Sequence, residues 1–181
     1  MYNVLIDCLQ QNSIYFEEEI KTFHNTSCTD CTKRALNVVT IKTEFYRIVG
    51  RPSPKSVNAI LFKNGNIFFI EMTSYYQTYP YTMESFVEIH SGADGMIVKI
   101  LGTIKTIEDI SNHYSLSDAF KTFISTPSLR KIKSILLTEM DYETAVIMKI
   151  SNLDKINAPL PDAEEGEIAI FNCEQFESYF K

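Results

Sequence analysis

The sequence predicts an α+β fold, a mixed central sheet flanked by helices. Three observations carry that expectation. Residues 57–62 and 67–73 are two apolar, β-branched runs joined through Asn64-Gly65, a strong short-range hairpin signal. Residues Ile97, Ile100, Leu101, Ile104, Ile107 and Ile110 then recur at helical spacing. Two further aliphatic runs, 132–140 and 145–150, read as strands after that helix, so strands and helices share one core.

The remaining elements follow in chain order. Val4, Leu5, Cys8 and Leu9 form one apolar stripe and predict an opening helix. Residues 14–23 carry a second stripe around Glu17-Glu18-Glu19, and a second helix is expected there. Residues 24–32 are a polar loop. Alternation of Val39, Ile41, Thr43, Phe45 and Arg47 predicts a strand over 38–49, ended by the rigid connector Gly50-Arg51-Pro52-Ser53-Pro54. After the hairpin, 75–81 is an aromatic and polar loop, expected to cover a core edge, although such rings can also stack on bases. Asp94 is placed to cap the long helix. A helix over 116–125 stops near Pro127, 156–166 is a loop, 168–171 a short strand and 174–180 a short helix.

A chain of 181 residues with 45% hydrophobic and 22% charged content suits one domain with a sizeable core. One domain over 1–181 is expected, with an acidic C-terminal extension from about 151. No apolar run is long enough for a membrane span. Residues 1–11 lack Lys and Arg and include Asp7, which argues against a secretory signal, so a cytoplasmic protein is expected. The net charge of −6 is unevenly spread: residues 1–135 hold 14 basic and 13 acidic side chains, residues 136–181 hold 3 and 10. Such a body is compatible with nucleic acid but does not demand it, since the one dense basic cluster is Arg130-Lys131-Lys133.

Four cysteines are too few for a disulfide scaffold. Cys28 and Cys31 form a CxxC, with His24 upstream and Cys8 or Cys173 as a further thiol. A zinc site normally shows a second ligand pair and the sequence offers none, so zinc is not expected; free thiols or a bridge within the polar loop are. Phosphate-binding glycine loops, GxSxG and HExxH are absent. The histidines His24, His90 and His113 are far apart; His90 is expected to be a surface or half-buried histidine, with an approach to Glu71 as the alternative.

The candidate chemistry lies in the hairpin. Glu71 is a lone carboxylate near the end of an apolar strand and Asn58 an amide near the start of its partner. Antiparallel pairing lays them side by side at one end of the sheet. In motif and element order, residues 14–140 resemble the PD-(D/E)XK nuclease superfamily, with its restriction-endonuclease-like core. The resemblance places Asn58 where the family has a metal-binding Asp, Glu71 at the acid of Glu-x-Lys and Thr73 where its Lys would stand. It draws a further acid, Glu18, from Glu17 to Glu19, and supplies the missing Lys from the following helix as Lys99, with Lys105 behind it. It implies Glu71 and Lys99 as catalytic groups, and Glu71, Asn58 and Glu18 as ligands of Mg2+ or Mn2+ that activates water for phosphodiester hydrolysis. With Asn for Asp and Thr for Lys the motif is degenerate. Two functions are therefore expected as alternatives: a metal-dependent DNA or RNA endonuclease, or a noncatalytic binding or assembly protein on that scaffold, with nucleic acid or a protein as partner.

Overall fold

The computed structural model describes residues 2–24, 26, 28–73, 95–126, 132–139 and 168–181. The expectations for the aromatic loop 75–81, His90, Asp94, Arg130, Lys131, the strand at 145–150 and the loop 156–166 lie outside the described residues. The described chain has a mixed six-stranded open sheet in the order β1 to β6, with helices on it, an α+β fold. The elements are α1 (Tyr2–Gln11), β1 (Glu17–Glu19), a 3-10 turn (Ile20–Thr22), β2 (Arg34–Asn37), α2 (Val38–Val49), β3 (Ala59–Lys63), β4 (Asn66–Met72), α3 (Met96–His113), α4 (Asp118–Ser125), β5 (Ile132–Leu137), β6 (Ile168–Phe171) and α5 (Cys173–Tyr179). Strands β1 to β4 pair antiparallel, whereas β4, β5 and β6 run parallel.

The hairpin forms in the expected register, Ala59 facing Ile70 and Lys63 facing Asn66. Asn64 (φ 51°) and Gly65 (φ 77°) both take left-handed backbone, which matches the right-handed twist of the flanking strands. Alternation along β4 divides the core in two. Ile67 and Phe69 join a cluster with Leu9, Ile41, Phe45, Ile100, Ile107 and Phe120, beneath α1 to α4. Phe68, Ile70 and Met72 join Ile20, Phe23, Cys28, Cys31, Phe176 and Phe180 on the other face. The sixth strand and α5 come from beyond residue 151 and complete this sheet and its second face.

Two expected elements change type. Residues 14–23 are not a helix but β1 and a 3-10 turn. Ile14 belongs to the first core cluster while Ile20 and Phe23 belong to the second, and one helix cannot serve both faces of a sheet. The three glutamates instead occupy an edge strand, where charge discourages further pairing. Residues 38–49 are not a strand but α2. Val38, Ile41, Phe45 and Tyr46 are its buried residues, a helical spacing, while Val39 is left exposed. The Asn37 side chain caps it by accepting from the Thr40 amide at 3.0 Å, and Gly50 ends it in left-handed conformation.

The connector between α2 and β3 fixes α3 in place. The Lys42 ammonium donates to the Pro54 carbonyl at 3.0 Å, and the Val57 amide donates to buried Thr103 Oγ1 at 3.0 Å. Gly102 passes so close that a β-carbon there would sit 1.8 Å from the Lys55 carbonyl oxygen. Alanine ordinarily favours a helix over glycine by about 1 kcal/mol. Here Gly102→Ala is expected to destabilise the fold by about 2 kcal/mol net, because backbone must shift to admit the methyl group; urea unfolding of the two proteins measures it.

Candidate functional site

Extending the hairpin register by one pair sets Asn58, the residue before β3, across from Glu71. Both then share the sheet face of Ile60, Ile67 and Phe69, the face that α3 covers. The Asn58 side-chain oxygen, Oδ1, accepts from the Met72 amide at 2.7 Å and so closes the open end of the hairpin. Glu71 is only 4% exposed, the single acidic residue among the buried core positions described. Lys99, in the first turn of α3, reaches down and forms an ion pair with Glu71 Oε1. The Lys99 side chain stays a quarter exposed, so its ammonium bridges the buried acid and the surface.

Lys42 on α2 completes the centre. Its charge acts on both Glu71 and Lys99, while its own hydrogen bond goes to the connector. Burial pushes the Glu71 carboxyl above its ordinary range; the charge and hydrogen bond of Lys99 oppose this most, followed by the Asn58 backbone amide and the Lys42 charge. Burial likewise pulls Lys42 below the usual ammonium range, and the Lys99 charge adds to that while Glu71 opposes it. Glu71 Oε2 is buried with no hydrogen-bond partner among the described residues.

Three of the sequence-derived site residues therefore converge: Glu71, Asn58 and Lys99. Glu18 does not join them. It lies on β1 opposite Ala35, whose side chain packs on the other sheet face, and its carboxylate takes hydrogen bonds from Asn37 and from Thr22, the latter at 3.1 Å. Glu17 and Glu19 pair with Arg34 and Lys21. Lys105 pairs with Asp109 further along α3, and Thr73 sits at the end of β4 with its amide donating to the Leu137 carbonyl at 3.0 Å. A strand over 38–49 gives Lys42 no role; as a helix, the segment places it one turn beyond Val38, facing the connector.

The described residues do not fit a Mg2+ or Mn2+ centre. Hard divalent ions need several oxygen ligands, with two carboxylates usual in such sites. Here one carboxylate stands beside two lysines, so the local charge favours an anion. Among the described residues no group of three or more His, Cys, Asp or Glu is arranged to hold a metal ion.

A second feature lies on the opposite face. Cys28 is bonded to Cys173, not to Cys31, with the two Cα atoms 5.4 Å apart. The bridge expected within the polar loop thus leaves that loop and ties it to α5. Cys8 and Cys31 are free and buried, and burial pushes the Cys31 thiol up to about 12. The chain matches no family model, no curated protein and no solved structure.

Replacing Lys99 removes the partner of a buried charge, whereas replacing both members removes the charge with it. Lys99→Met is expected to cost about 3 kcal/mol at neutral pH, and Lys99→Met with Glu71→Gln to recover most of that. Chemical denaturation of the four proteins in the cycle measures the coupling.

Proposed function

We propose that this chain is a PD-(D/E)XK-like protein that works by binding rather than by cleavage, with nucleic acid as the partner and the cytoplasm as its place. The observation that carries the reading is the Glu71–Lys99 ion pair with Lys42 beside it. In a cleaving site of this type the acid serves a metal ion; here it serves a lysine, and the centre carries one more positive charge than negative among the three groups. Lys99, partly exposed at the carboxyl end of β4, is the group that meets a phosphate oxygen. Parallel strands β4, β5 and β6 all end at this edge, the usual position of ligand sites in open sheets with parallel strands. The near balance of charge over residues 1–135 keeps such binding weak and salt-dependent. No helix among the described residues is long and apolar enough to cross a membrane.

One observation favours the rival reading, a metal-dependent endonuclease. The unpartnered, buried Glu71 Oε2 is an oxygen that a cation could satisfy. Plasmid nicking in Mn2+, set beside fluorescence anisotropy with a labelled oligonucleotide duplex, separates the two. The binding reading expects no Mn2+-dependent nicking above that of Glu71→Ala, and binding that weakens several-fold in Lys99→Ala and with added salt. Nicking that needs both Mn2+ and Glu71 supports the endonuclease instead.

A further inference from the structure

The C-terminal ends of α2 and α3 together line a surface cleft of about 610 Å3, a volume within the ordinary range for small-molecule sites. It lies about 15 Å along α3 from Lys99, by the helical rise from Lys99 to Asp109. Gly50 takes left-handed backbone after α2, and the Arg51 amide donates to the Tyr46 carbonyl at 3.2 Å, so Arg51 folds back onto the helix end. Pro52 stiffens the turn that follows. One wall of the cleft is polar and fixed: the Tyr46 hydroxyl donates to Asp109 Oδ2 at 2.7 Å, and the Lys105 ammonium donates to Oδ1 at 2.7 Å. Both carboxylate oxygens are thus engaged. The Arg51 guanidinium lines the same cleft, exposed, and makes no hydrogen bond or ion pair among the described residues. Asn112 and His113 are exposed donors from α3, and the His113 ring stands edge-on to Phe45 with ring centres 5.7 Å apart. Ile48, 49% exposed, and half-buried Val49 add an apolar face from α2.

We infer that this cleft binds a small organic carboxylate, its charged end on the Arg51 guanidinium and its apolar body against Ile48 and Val49. A guanidinium with no partner offers the planar fork that takes a carboxylate through two parallel hydrogen bonds. Asn112 and His113 supply further donors from the facing helix. Charge sets the class of ligand. Arg51, Lys105 and Asp109 sum to one positive charge, which a single carboxylate neutralises, whereas a phosphate monoester would bring a second negative charge beside Asp109. An organic cation is disfavoured, because Asp109 is already engaged and Arg51 would face it unpaired. Helix C-termini are negative ends, but the carbonyls of Tyr46, Ile110, Ser111 and Asn112 accept from backbone amides, which leaves few bare acceptors to repel an anion. The Tyr46–Asp109–Lys105 chain keeps the polar wall in place before a ligand arrives, so little ordering is needed on binding. The site shares no residue with the Glu71 centre and does not depend on the nucleic-acid reading.

The full chain, isotopically labelled, is titrated with benzoate, phenylbutyrate and naphthoate and read by amide NMR. The expected result is saturable shifts over 45–51 and 109–113 with at least one of the three, below about 5 mM. Phenylbutanol, the uncharged counterpart of phenylbutyrate, and the Arg51→Gln variant are each expected to weaken binding at least about tenfold. Ile48→Ser weakens it several-fold, phenyl phosphate binds more weakly than the carboxylates, and Arg47→Gln, whose arginine pairs with Glu44 outside the cleft, changes nothing. Because the acid and the alcohol are compared on wild type, a variant that fails to fold does not decide the matter. Absence of saturable shifts in the cleft with all three carboxylates overturns the site. Equal binding of acid and alcohol, or an undiminished affinity in folded Arg51→Gln, overturns the role of Arg51, and tighter binding of phenyl phosphate overturns the carboxylate class.

Discussion

The constraint on which the structure turns is a single charge inside an apolar layer. Glu71 occupies a strand position whose neighbours on the same face, Ile67 and Phe69, are core residues, and its side chain is almost wholly buried. Removing such a charge from solvent is expensive unless a partner comes with it. Lys99 is that partner, and its position in the first turn of α3 is therefore tied to the position of the helix. The connector before β3 serves the same end, since Val57 bonds Thr103, Lys55 packs on Gly102 and Pro54 receives Lys42. Three elements far apart in sequence are aligned on one carboxylate.

The charge of this arrangement is what the proposed choice between binding and cleavage rests on. A nuclease of the type the motif resembles concentrates acids so that a divalent ion lowers the barrier to hydrolysis. Here the side-chain amide oxygen of Asn58 is occupied by the Met72 backbone, the glutamates of β1 lie at the far edge of the sheet, and two lysines approach the one buried acid among the described residues. The same scaffold position thus supports recognition of an anion.

What the sequence made legible follows its physics. The hairpin, α1, α3, α4, β5, β6 and α5 each carry an unambiguous period or turn signal, and each was expected near its observed place. The proximity of Glu71, Asn58 and Lys99 was legible because antiparallel register can be reasoned from an Asn-Gly turn and because the resemblance pointed to a helix lysine. The failures came where one apolar pattern fits two periods. Val38, Ile41 and Phe45 define a helix, yet Val39, Ile41, Phe45 fits a strand, and only tertiary packing chooses. The capping Asn37 and the closing Gly50 were the local signals that could have decided it. Residues 14–23 failed for another reason: their apolar side chains are shared between two sheet faces, a fact that exists only once the sheet does. The pairing of Cys28 with Cys173 likewise depends on a contact across 145 residues.

The most direct measurement is a pH titration of the Glu71 side-chain carboxyl carbon by NMR, in protein labelled at glutamate and assigned through Glu71→Gln. The account predicts a midpoint above the ordinary 4.5 of a glutamate, because burial outweighs the help given by Lys99. A midpoint at or below 4.5 would contradict it, for the carboxylate would then be solvated, or its burial would cost less than Lys99 returns.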